Sequence, residues 1–106
     1  MLVRPRKGEV YRAGGRPAPV VQGGAVDAEA YGSLVVCLIT ASSPRGSVCR
    51  IEIPASSETG LARPSEIMTE KVAAIPRAQV GDTTGRVDAA VLRHVDRALL
   101  LLLDAA

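Results

Sequence analysis

Three kinds of side chain here could carry chemistry, and they are unevenly supplied. The sequence holds one histidine, His94, two cysteines, Cys37 and Cys49, and thirteen cationic residues, of which eleven are Arg. His94 stands between Arg93 and Val95 in a stretch of helical periodicity, so it reads as a helix-surface or interface residue rather than an acid–base group. The cysteines lack a CxxC-type spacing and no His, Asp or Glu cluster accompanies them. Neither a zinc site nor a redox dithiol is expected, and they read as buried free thiols. That leaves Arg, whose planar fork can meet two phosphate oxygens at once. Taken alone, Arg16-Pro17 behind Gly14-Gly15 reads as an exposed turn, and Thr40 as a strand-end hydroxyl bonding backbone.

Composition sets limits on what such residues can do. The chain has 106 residues, 47% hydrophobic and 23% charged, with a formal net charge of +2. This is the size and make-up of one globular domain spanning residues 1–106. The charge is too small to announce a nucleic-acid binder by itself. Aromatics amount to Tyr11 and Tyr31, with no Phe or Trp. Modules that stack bases on exposed rings are therefore excluded, and the core must be built from Val, Leu, Ile and Ala. The first residues, Met1 to Lys7, are charged with no apolar run behind them. No secretory signal or membrane span is expected, and the chain reads as cytoplasmic.

The elements that must position these residues are mostly short strands. Gly8 to Ala13 and Ala18 to Gln22 flank a Gly14-Gly15 turn, and Asp27 to Ala30 allows at most one helical turn. Ser33 to Thr40 is apolar on both faces, as in a central buried strand. Val48 to Ile53 alternates cleanly and is expected to pair with it as a hairpin, bringing Cys37 near Cys49. Glu66 to Met68, Val72 to Ile75 and Gly85 to Val87 are further extended pieces. The period then changes. Asp88 can cap a helix that carries Val91, Leu92, Val95, Leu99 and Leu102 on one stripe and runs to about Leu103. Its last turn is apolar almost all round, so it must bury more than one side, against the strands and against a second subunit. Several short strands and one terminal helix make a mainly β, α+β pattern.

Five segments in order resemble the MazF/PemK (CcdB-like) toxins of type II toxin–antitoxin systems. They are Lys7-Gly8-Glu9-Val10-Tyr11; Gly14 to Val21 with its Arg16-Pro17; Leu38-Ile39-Thr40-Ala41-Ser42; Gly60-Leu61 followed by Ser65 to Ile75; and Gly85-Arg86-Val87 leading into the helix. The resemblance runs from about Lys7 to Leu103. It implies an SH3-like antiparallel barrel with a C-terminal helix, usually a homodimer. It implies a metal-independent, cofactor-free endoribonuclease that cuts single-stranded RNA, often mRNA, at short sequences, restrained by an antitoxin whose C-terminal tail wraps the toxin. Arg16 and Thr40 occupy the positions of the family's catalytic pair. Lys7, Gln22, Ser42, Ser43 and Lys71 become candidate RNA contacts, with Lys71 where the family commonly has Gln.

Two departures bear on specificity. The loop between the first two strands is reduced to Ala13-Gly14-Gly15, and Gln22-Gly23-Gly24 follows Val21 where the family usually has a polar Ser/Asn-Asp. Two other readings of the same fold compete. One is a CcdB-type gyrase poison, against which the absence of Trp counts; the other is a catalytically silent barrel that only binds its antitoxin.

Overall fold

A computed structural model describes residues 5–41 and 47–105. Its strands are β1 (Glu9–Ala13), β2 (Arg16–Pro19), β3 (Ser33–Thr40), β4 (Arg50–Ile53), β5 (Ser65–Pro76) and β6 (Val80–Arg86). Its α-helices are α1 (Ala28–Tyr31) and α2 (Ala89–Leu102). The strands form two three-stranded antiparallel sheets, ordered β2-β1-β6 and β3-β5-β4. A single Val20↔Val36 bridge joins them among the described residues, so the class is the expected one while the strand hydrogen bonding does not close into a full barrel.

The first sheet begins with a tight hairpin. Gly14 and Gly15 sit at φ 59° and 84°, and Ala13 pairs with Arg16 across them. Two consecutive positive φ values match the twist of the flanking strands and suit glycine. Pro17 and Pro19 are tolerated because β2 is an edge strand; β1 lies between it and β6.

The second sheet departs from expectation in a way that matters for the site. β3 and β4 are not a hairpin: β5 lies between them, pairing eight residues with β3 and four with β4. The connection over residues 41–49 exceeds the two to five residues or so that hold a hairpin together. β5 is the longest strand, and its apolar alternation offers a partner on each side. Cys37 and Cys49 are therefore not cross-strand neighbours; both are free, Cys37 buried and Cys49 half-buried. β5 also fuses the two short pieces expected at Glu66–Met68 and Val72–Ile75. Leu38 pairs with Met68 and the adjacent Cys37 with Val72, so Thr69, Glu70 and Lys71 bulge out between them. The bulge is fastened from the β4 side, where the Thr69 backbone N–H and hydroxyl both donate to the Cys49 carbonyl, at 3.0 and 2.7 Å.

Two apolar clusters result. One gathers Val10, Cys37, Ile53, Leu61, Ile67, Val87 and Val95, and the other Tyr11, Ala18, Val20, Ala28, Leu34 and Val36. α2 packs on β5 and β4 through Val95, with Ala98 also buried. The Asp88 carboxylate caps it by accepting from the Val91 N–H at 2.8 Å. Beyond the packed turns, Leu100, Leu101, Leu102 and Leu103 are exposed. No helix among the described residues is long and apolar enough to cross a membrane.

Candidate functional site

Arg16 is the first residue of β2, delivered by the Gly14-Gly15 turn and exposed. The residue before a proline is confined to extended backbone, so Pro17 keeps Arg16 from folding back. Arg12 braces the turn, its Nη1 donating to the Gly15 carbonyl at 3.4 Å. The Arg16 guanidinium has no hydrogen bond or ion pair to a described residue, which leaves its whole fork available.

Arg16 and Pro17 form one wall of a shallow cavity of about 240 Å³. Ile39 and Ala41, the residues on either side of Thr40, also line it, together with Leu61, Ala62, Arg63 and Ser65. The cavity thus joins the two segments singled out in the sequence, Arg16-Pro17 and Ile39-Thr40-Ala41. Thr40 itself is not part of the wall. It is half-buried at the end of β3 and pairs with Glu66 of β5.

Glu66 is 1% exposed, so its charge needs a partner. Arg50 supplies one, with Nη1 at 3.5 Å from Glu66 Oε1, while its Nε and Nη2 hold the Glu70 carboxylate at 2.8 and 2.6 Å. The hydrogen bonds from Arg50 hold Glu70 below the usual carboxylate range despite the opposing effect of desolvation, and the same contacts raise Arg50 above its ordinary value. This cluster fixes the strand end opposite Thr40.

The remaining predicted contacts are scattered. Lys7 forms an ion pair with Asp96 of α2 at 2.7 Å and lines a different cavity. Gln22 spends both ends of its amide on backbone: Oε1 accepts from the Val35 N–H and Nε2 donates to the Val26 carbonyl, each at 2.9 Å. It ties β3 to the following turn. Lys71 is exposed on the β5 bulge. Ser42 and Ser43 lie outside the described residues.

Arg63, not singled out from the sequence, lines the same cavity as Arg16. A signal was present: Arg63-Pro64 repeats the Arg-Pro step just ahead of a strand. Its segment is well fastened. Thr59 is buried and its Oγ1 donates to the Pro54 carbonyl at 3.1 Å. Gly60, at φ 73°, lies so close to Thr84 that an added Cβ would strike the Thr84 carbonyl. Leu61 enters the core, and the Ser65 hydroxyl donates to the Arg63 carbonyl at 3.0 Å.

A second cavity is larger, about 390 Å³, yet charge decides against it. It mixes Arg6 and Lys7 with Asp27 and Glu29; Asp27 caps α1, and Glu29 pairs with Arg77 at 2.6 Å. The Arg16 cavity is lined by Arg16 and Arg63 and, among the described residues, by no carboxylate-bearing side chain. A phosphate is attracted by the Arg16 cavity and not by the mixed-charge one. No group of three or more His, Cys, Asp or Glu side chains that could hold a metal occurs among the described residues.

Comparison with known proteins shows the family and the fold. The family model described as PemK-like, MazF-like toxin of type II toxin–antitoxin system matches residues 2–103. A probable endoribonuclease MazF of Mycolicibacterium smegmatis is 34% identical over 109 residues, covering 95% of this chain and 98% of that protein. Among solved structures, MazE–MazF from Deinococcus radiodurans superposes with a TM-score of 0.81 at 21% identity, over 98% of this chain and 100% of that one. An endoribonuclease in complex with its cognate antitoxin, from a mycobacterial species, gives a TM-score of 0.77 at 20% identity, over 96% and 97% of the two chains. At these identities the structures establish the shared fold.

Proposed function

The chain belongs to the PemK-like, MazF-like toxin family of type II toxin–antitoxin systems, and we propose that it is an endoribonuclease that cuts single-stranded RNA at the cavity between Arg16 and the Thr40 strand end. The observation that carries this reading is that Arg16 and both neighbours of Thr40 share one cavity without a carboxylate. RNA contains its own nucleophile. The 2′-oxygen attacks the adjacent phosphorus, the O2′–P bond forms and the P–O5′ bond breaks. The 2′ proton is lost to solvent and the departing 5′ oxygen gains one. The products are a 2′,3′-cyclic phosphate and a 5′-hydroxyl.

What the protein supplies is alignment and charge stabilisation. The unpaired Arg16 fork donates to the non-bridging phosphate oxygens as negative charge accumulates on them. The Thr40 hydroxyl adds a further donor. Arg stays protonated at any working pH and is a poor base, so its part is electrostatic. A metal ion is not required for these roles. Lys71 on the exposed bulge and Ser42 and Ser43 beyond Thr40 are further RNA contacts. Lys7 and Gln22 contribute through the scaffold, given their partners Asp96, Val35 and Val26.

The toxin acts as a homodimer in the cytoplasm and is restrained by an antitoxin tail. Residues 1–106 work as one domain. Incubating the chain with a long RNA in EDTA, with end mapping by primer extension, tests the reading. Cleavage with cyclic-phosphate ends is expected. Arg16→Ala and Thr40→Ala should each reduce it by about 10²-fold or more, the usual cost of deleting a donor to the developing charge. Undiminished cleavage by both variants would overturn the assignment.

A further inference from the structure

Resting on that reading, we propose that Arg63 is a second phosphate-binding residue, and that the cavity between Arg63 and Arg16 holds one nucleotide unit of the RNA with its two flanking phosphates on the two guanidinium groups. Four observations converge. Arg63 and Arg16 line the same cavity from separate segments. Neither guanidinium has a hydrogen bond or ion pair to a described residue, whereas Arg50 and Arg77 are bound to carboxylates. Among the described residues, no carboxylate lines the cavity to oppose an anion. Apart from Ser65, the rest of the described lining is apolar, with Pro17, Ile39, Ala41, Leu61 and Ala62.

Such a lining fits a nucleotide better than a free phosphate. A phosphate alone would leave the apolar wall facing water, whereas a base or ribose covers it. The chain has no Phe or Trp, and neither Tyr lines the cavity. A base must therefore lie on aliphatic surface, which the two flanking forks hold in place. Preorganisation supports the assignment. Pro64 restricts the backbone of Arg63 as Pro17 restricts that of Arg16. The Thr59 and Ser65 hydrogen bonds and the close Gly60–Thr84 approach fasten the segment that presents Arg63. An Arg held on a fastened segment loses less freedom on binding than one on a free tail.

The test uses the full chain, a cleavable RNA, and the same oligonucleotide with 2′-deoxy substitution at the cut site to measure binding without cleavage. Arg63 is exposed, so Arg63→Ala should fold normally, which circular dichroism checks. Arg93→Ala, an exposed cation on α2, serves as the control. Arg63→Ala is expected to raise KM and the Kd of the uncleavable oligonucleotide by about tenfold with kcat nearly unchanged. The slope of log Kd against log salt should shrink by about 0.7, one phosphate contact on a single strand. Arg63→Lys should restore most of the salt slope and Arg93→Ala should change nothing. Parent-like KM, Kd and salt slope in Arg63→Ala, while the parent cleaves, would overturn this inference and leave the ribonuclease reading intact. A parent chain that neither cleaves nor binds RNA would overturn both.

Discussion

At the scale of single residues, the cations differ in whether a carboxylate already holds them. Arg50, Arg77 and Lys7 are spent on Glu66 and Glu70, on Glu29, and on Asp96. Arg16 and Arg63 are not. That distinction is invisible in a sequence, where all eleven Arg look alike. The segments of Arg16 and Thr40 stand out in the sequence through their motifs, whereas Lys7 and Gln22 have partners that no local pattern announces. Cys37 offers a residue-scale prediction on stability. Burial, helped by the charge of Glu70, raises its thiol from 9.0 to about 11. Between those values the unfolded chain gives up a proton that the folded chain keeps, so stability is intact below pH 9 and falls as pH rises toward 11. Urea unfolding at pH 8 and pH 10.5 should show this loss, about 2 kcal/mol from the thiol alone. Cys37→Ala, though less stable throughout, should lack that part of the pH dependence. An identical pH dependence in parent and variant would refute the assignment. The folded thiol should also resist alkylation at neutral pH, where it is neutral and covered.

At the scale of elements, the strongly periodic stretches were readable and the pairing between them was not. α2 declared itself through Asp88 and its apolar stripe, and β3 through its continuous apolar run. The position of β5 between β3 and β4 depends on two long-range pairings that a local pattern does not specify. The polar Thr69-Glu70-Lys71 step looked like a break because a bulge held by Cys49 and Arg50 interrupts the alternation without ending the strand. β6 was largely missed because its Asp82, Thr83 and Thr84 carry little apolar signal. Two substitutions probe element-level claims. Asp88→Ala removes the α2 cap and should cost about 1 kcal/mol in urea unfolding. Gly60→Ala should cost well over that, because it adds a Cβ against the Thr84 carbonyl at a positive φ. It should also weaken RNA binding by loosening the segment that presents Arg63. A neutral Gly60→Ala would mean that the close approach to β6 is not a constraint.

At the scale of the whole molecule, a net charge of +2 conceals an uneven distribution. One cavity has two cations and no acid, while the larger cavity is balanced and its acids are tied into the scaffold. Scarcity of aromatics thus rules out a stacking platform without ruling out a groove of Arg forks over aliphatic walls. Apolar surplus has a location too, at the exposed Leu100 to Leu103 end of α2. In the proposed homodimer that end is covered. Leu101→Glu combined with Leu103→Glu should leave the fold's thermal midpoint nearly unchanged at the level of the monomer and shift the mass measured by light scattering from dimer to monomer. Retention of the dimer would place the interface elsewhere. In the proposed reaction, Arg16 and Thr40 act on a phosphate that the RNA's own 2′-hydroxyl attacks. Its most direct test is end analysis of an RNA incubated with the purified chain in EDTA, beside Arg16→Ala and Thr40→Ala. Fragments ending in 2′,3′-cyclic phosphate and beginning with 5′-hydroxyl are expected from the parent chain and are lost in both variants. Intact RNA with the parent chain, or the same fragments from both variants, would contradict it.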